Sequence, residues 1–152
     1  MPDISTFWVP FEGRGDWAQA GAILASGSDL ETAVLISLFT DRRADPDDAI
    51  PDGSGDPRGW WGDLYETTPI GSKLWLLDRS KKTEATRQRA QDYIEAALAW
   101  LVDDGIAAAV TVTVQWQVGA DPLQGFLAAA IAIDEPSGRT VVFNYQWAWG
   151  TV

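Results

Sequence analysis

The chain has 152 residues, a formal net charge of -11, nine tryptophans, and neither cysteine nor histidine. That length gives one domain with room for a core, and the acid excess argues against nucleic acid and anionic membranes as partners, since both take clustered Lys and Arg. Without Cys or His there is no disulfide framework, no thiolate or imidazole metal site, and no histidine to act as general base.

No apolar run approaches the length of a membrane span. Met1-Pro2-Asp3 lacks the basic and apolar regions of a signal peptide, so a soluble cytoplasmic protein is expected. Residues 4–9 are short and aromatic and close on Pro10, which suits an edge strand. Gly13-Arg14-Gly15-Asp16 reads as a turn, and its Arg-Gly-Asp triplet carries no adhesion role without secretion. Residues 17–20 and 22–25 pair as a small hairpin across Gly21. Ser28 and Glu31 form a capping box for a helix that is apolar around most of its girth and ends near Thr40 or Asp41.

Residues 42–58 have loop composition, rich in Asp, Gly and Pro. The clustered aspartates invite calcium, but the spacing lacks the bidentate Glu of an EF-hand loop, and a solvated acidic loop is expected. Gly71-Ser72-Lys73-Leu74-Trp75-Leu76-Leu77 reads as one or two helical turns, with a strand as the alternative. A long helix follows over about residues 82–103, with Ala90, Ile94, Ala97, Leu98 and Leu101 on one face and Gly105 at its C′ position. Asp103 and Asp104 at its C-terminus oppose the macrodipole, and Arg42 or Arg43 is the expected cationic partner.

The last third alternates apolar and polar residues over 110–116 and again over 140–149, around a central stretch, 123–133, apolar on both faces. Turns at 119–122 and 135–138 join them as an antiparallel meander. The predicted fold class is therefore α+β: a small single domain, residues 1–152, with a C-terminal antiparallel β-meander packed against two main helices and short N-terminal strands.

The rest of the chain reads as organised around Arg58-Gly59-Trp60-Trp61-Gly62-Asp63. Two adjacent indoles in a polar loop either plug their own core or anchor a partner, and Trp and Arg are the residues enriched at interface hot spots. Nothing in the stretch suggests catalysis. Arg58, Trp60, Trp61 and Asp63, with Trp75, form one expected docking surface. The aromatic terminal strand, with Tyr145, Trp147 and Trp149, forms the other, either exchanging a strand with a neighbour or simply ending the domain's own sheet.

These stretches resemble a known family. The run Leu30-Glu31-Thr32-Ala33-Val34-Leu35-Ile36-Ser37-Leu38-Phe39-Thr40-Asp41-Arg42-Arg43 resembles the baseplate proteins of phage Mu-like contractile tails. So do the Trp-Trp motif, residues 71–77, and Ala97-Leu98-Ala99-Trp100-Leu101-Val102-Asp103-Asp104-Gly105. That family is similar in turn to the lysozyme-like wedge protein of T-even phages. The resemblance implies a virion structural protein that joins the baseplate wedge and initiates the tail sheath. Its partners would be a larger wedge protein and sheath or hub proteins, in multiple copies of a six-fold assembly. Where the wider group carries Glu-Pro-Arg after the long helix, this chain has Val102-Asp103-Asp104-Gly105, so Asp103 or Asp104 would supply the acidic half.

The alternative is a carbohydrate (peptidoglycan)-binding or lysozyme-like hydrolase domain. A glycosidase needs two carboxyls flanking a cleft, one with a raised pKa. Glu12, Asp16, Asp63 and Glu66 stand near aromatic residues, yet no spacing commits them to a site. No Gly-rich phosphate loop occurs either, so no cofactor is expected.

Overall fold

The computed structural model describes residues 3–118 and 124–150. It has the expected α+β architecture, built from seven strands and two α-helices among the described residues. The strands are β1 (Thr6–Val9), β2 (Arg14–Trp17), β3 (Gln19–Ala20), β4 (Ile23–Leu24), β5 (Ala109–Val118), β6 (Gln124–Asp134) and β7 (Thr140–Gly150). The helices are α1 (Asp29–Phe39) and α2 (Glu84–Asp103), separated by two 3-10 turns, Trp61–Tyr65 and Leu74–Leu77.

At the N-terminus, β1 and β2 pair antiparallel, with Trp8 opposite Gly15. The Arg-Gly-Asp triplet therefore lies in a strand rather than a turn. The chain reverses earlier, where the N–H groups of Glu12 and Gly13 donate to the Val9 carbonyl and Gly13 takes a φ of 61°. The hairpin across Gly21 forms, shortened to β3 and β4.

Ser28 is the N-cap of α1, but its side chain makes no cap hydrogen bond, so the predicted capping box does not form. Tertiary pairing sets the helix entry instead. Gly27 donates to the Asp3 carbonyl at 2.7 Å, and the Asp29 carboxylate accepts the Asp3 N–H at 2.9 Å. Helix α1 buries Val34, Leu35, Ser37 and Leu38 and turns Ile36 outward.

Helix α2 starts where Thr83 Oγ1 accepts the Thr86 N–H, a side-chain cap worth about 1 kcal/mol. Its predicted face, Ala90, Ile94, Ala97, Leu98 and Leu101, is buried. The Trp100 indole crosses to α1 and donates to Ser37 Oγ at 3.0 Å. Gly105, at φ 71°, turns the chain away. The expected ion pair is absent: neither Asp103 nor Asp104 meets Arg42 or Arg43 among the described residues. The N–H groups of Asp104, Gly105 and Ala107 return to the last turn's carbonyls, and both aspartates stay exposed, where water screens them from the helix dipole.

The meander is a three-stranded antiparallel sheet in the order β5-β6-β7. Val114 faces Ala129, which in turn faces Tyr145. One face carries Val112, Val114, Leu127, Ile131, Ile133 and Tyr145 onto α1 and α2. Leu98, Leu101, Ile94, Ile131 and Ile133 are wholly enclosed, each worth about 1.5–3 kcal/mol of burial. The turn predicted at 119–122 lies outside the described residues. Strand β5 meets α2 at its edge, where Arg87 Nη1 donates to the Val114 carbonyl at 3.0 Å.

Candidate docking surface

Between α1 and α2 the chain is tied down by residues 40–42 and 72. The Arg42 N–H donates to the Ser72 carbonyl and the Ser72 N–H to the Thr40 carbonyl, while Ser72 Oγ donates to the Leu38 carbonyl. Gly71 lies so close to the Thr40 carbonyl that no side chain fits, and its φ is 94°. Within the loop, the Ala44 N–H donates to the Pro57 carbonyl.

The acidic stretch is not simply solvated. Lys73 Nζ sits 2.6 Å from both Asp45 Oδ2 and Asp48 Oδ2. Burial works against the Lys73 ammonium, but its bonds to Asp45 and Asp48 win and raise its pKa above the usual lysine value. The bond from Lys73 holds the Asp48 carboxyl below the ordinary aspartate range.

The structure separates the predicted docking residues. Trp75 is only 5% exposed, so it offers almost no outer surface. It belongs to a satellite core with Ala44 and Leu76, and its indole N–H donates to the Arg42 carbonyl at 2.8 Å. Arg58 spans the gap above it. Its guanidinium lies 4.4 Å from the Trp75 ring centre and donates to Asp41 Oδ2 at 2.8 Å. That hydrogen bond to Asp41 raises the Arg58 pKa. Arg58 holds a left-handed φ of 51°, stabilised by its N–H donating to Asp56 Oδ1.

The adjacent pair does the opposite of plugging the core. Trp60 is 43% exposed and Trp61 79%, with ring centres 5.4 Å apart. The Trp60 ring folds over Gly62, where a Cβ would push the exposed ring aside. Asp63 secures the turn, its Oδ1 accepting the Ile70 N–H at 3.1 Å. Beyond it stand Leu64 and Tyr65, 74% and 94% exposed, which were not singled out in the sequence. The only signal for them was two apolar residues inside an acidic, Gly-rich loop.

The terminal strand also divides. Tyr145 is buried, stacked at 6.5 Å on Phe143 and edge-on to Phe39 at 5.7 Å, so it is a core residue and not a contact. Its hydroxyl has no hydrogen-bond partner among the described residues, and burial raises its pKa. Trp147 is half-buried against Phe39 at 5.4 Å. The side chain of Trp149 lies outside the described residues. Strand β7 pairs along its length with β6, so it is part of the sheet and not a free arm. On its other edge the Gln146 carbonyl accepts the Trp8 indole N–H at 3.0 Å, and Phe7 and Pro10 border a small groove beside Asn144 and Gln146. By antiparallel alternation, Val142 and Asn144 turn their backbone N–H and C=O groups to that same side.

The carboxylates weighed for hydrolysis do not converge. Glu12 and Asp16 are both paired with Arg14, Asp63 bonds its own loop through Oδ1 while its Oδ2 is buried with no partner among the described residues, and Glu66 is exposed. No group of three or more metal-ligating side chains occurs among the described residues. Nor is any described helix long and apolar enough to cross a membrane.

Fold and surface define a small α+β domain with exposed aromatic residues at one loop, in which the four carboxylates considered for hydrolysis do not converge. The profile of the family described as phage protein GP46 matches residues 30–140, and the chain belongs to that family. It is 45% identical to baseplate protein gp46 of Escherichia phage Mu, over the whole of both chains. It is 35% identical, over 98% of each chain, to the Mu-like prophage FluMu protein gp46 of Haemophilus influenzae.

Proposed function

We propose that this chain is a structural, non-enzymatic component of a contractile phage-type tail baseplate, acting as one domain that joins wedge assembly and starts the tail sheath. The observation that carries the reading is its end-to-end similarity to the Mu baseplate protein. It assembles in the host cytoplasm, in several copies of a six-fold structure, with a larger wedge protein and sheath or hub proteins as neighbours.

Two surfaces serve this role. The loop within residues 42–72 presents Trp60 and Trp61, set by Arg58 and Asp63, to a wedge protein. Exposed tryptophan that enters a partner's pocket contributes about 2 kcal/mol or more on truncation. The open edge of β7 offers the sheath a place to add a strand through main-chain hydrogen bonds.

Co-expression with the larger wedge protein, read by co-elution on size exclusion, tests the first surface. A complex that Trp61→Ala abolishes while the single chain stays folded supports it, and one unaffected by Trp61→Ala removes that surface. Deleting β7 would empty the core, so the second surface needs a subtler change. Asn144→Pro removes one outward N–H and leaves pairing with β6 intact. Normal sheath assembly from that folded variant would rule out strand addition at this edge.

A further inference from the structure

A cleft of about 580 Å³ opens beside the tryptophan loop, walled by Trp8, Phe39, Trp60 and Trp147, with Leu38, Leu127 and Trp75 among its apolar lining. Three charged groups also line it: Asp41, Arg58 and Asp78. Trp8 stacks on Phe39 with ring centres 3.6 Å apart, and Phe39 leans on Trp147, so part of this wall is fixed by packing.

The charges are unevenly satisfied. Arg58 is committed to Asp41 and to the Trp75 face. The indole N–H groups of Trp8 and Trp75 are spent on the carbonyls of Gln146 and Arg42. The Asp78 carboxylate has no ion pair or hydrogen bond among the described residues, since only its backbone N–H is bonded, to the Trp75 carbonyl. Asp78 is itself exposed, as is Arg79 beside it outside the lining. Partial burial raises the Asp78 pKa, against the pull of Arg58 and Arg79. Among the lining residues two carboxylates stand against one guanidinium, beside the half-buried rings of Trp8 and Trp147 and the exposed ring of Trp60.

We propose that this cleft receives a basic side chain, arginine or lysine, from a neighbouring protein. A cation suits both halves of it: the indole quadrupoles attract positive charge, and Asp78 supplies the missing counter-ion. Arg58 over Trp75 already makes one such contact within the chain. An apolar side chain would leave Asp78 unpaired, and an acidic one would meet it head-on. The choice of a protein side chain over a sugar, which also favours aromatic walls, rests on the baseplate reading.

The test uses the full ¹⁵N-labelled chain and follows the indole N–H resonances, assigned by single Trp→Phe variants. The probes are N-acetyl-arginine amide, N-acetyl-lysine amide, N-acetyl-tryptophan amide and chitotetraose. The expected result is a saturable shift of Trp60 and Trp147 with the two cationic amides, weakened by salt and about three- to tenfold weaker in Asp78→Asn. Stronger binding of tryptophan amide, no saturable shift with any probe, or unchanged affinity in Asp78→Asn would each overturn the inference and leave the baseplate role standing. Preferential binding of chitotetraose would overturn both.

Discussion

The Trp75 indole N–H donates to the Arg42 carbonyl at 2.8 Å, and the same ring carries the Arg58 guanidinium at 4.4 Å on its face. One buried side chain thus holds both ends of the 42–58 segment, which has almost no regular structure of its own. Trp75→Ala would leave a cavity and release that segment, at a cost of about 3–5 kcal/mol. Trp61→Ala removes a ring that is already in water and should stay within about 0.5 kcal/mol of the parent. Urea denaturation of the two variants checks the contrast. Similar losses from both would mean that the Trp60–Trp61 pair is load on the core after all.

Gly71 joins the same region through backbone geometry. Gly71→Ala places a methyl against the Thr40 carbonyl at a φ of 94°. Left-handed strain and overpacking act together there, and the variant should lose about 2–4 kcal/mol. The bridge between Asp41 and Ser72 would open first, seen as faster amide exchange at Arg42 and Ser72. Unchanged exchange at those amides would contradict this.

Elements with a strong period were legible in the sequence. The buried face of α2 and the inward residues of β5 and β7 follow from spacing, because burial of one face leaves few alternatives, whereas β6, apolar on both faces, has no such period. Local signals without a period did less well. Ser28 looked like a reciprocal cap, but the backbone of residues 3–5 takes over that end of α1. Among the aromatic residues, sequence could not separate Trp75 from Trp60 and Trp61: all three sit beside loops, and only the packing of Ala44, Leu76 and Tyr93 around Trp75 decides. The pairing of Asp103 or Asp104 with Arg42 or Arg43 was drawn from charge sign alone, and charge sign carries no distance. The cleft was illegible because its walls come from β1, α1, β7 and two loops.

Tyr145 carries a buried hydroxyl with no partner among the described residues, packed against Phe39 and Phe143. An unpaired buried polar group costs about 1–3 kcal/mol. Tyr145→Phe keeps the ring contacts and removes that cost, so its melting temperature should rise by a few degrees, equivalent to about 1 kcal/mol. A fall of similar size would show that the hydroxyl is bonded in solution.

Lys73 gives the chain a pH-dependent brace. Its ammonium, 17% exposed, bridges Asp48, 22% exposed, and the more open Asp45. Lys73→Met keeps the stem but leaves Asp48 without its partner, and should cost about 1–2 kcal/mol near neutral pH after allowing for solvent screening. The Asp48 pKa is depressed in the folded state, so its contribution is present above the ordinary value of about 3.9 and is lost as pH falls through the lower folded value. The Lys73 pKa is raised, so its contribution is present below about 10.4 and is lost only as pH rises through the higher folded value. The stability gap between parent and Lys73→Met should therefore be flat from about pH 5 to about pH 10 and close on the acid side. Urea denaturation across a pH series measures it, and a gap that persists undiminished at about pH 2 would mean that packing of the lysine stem, not its charge, holds the loop.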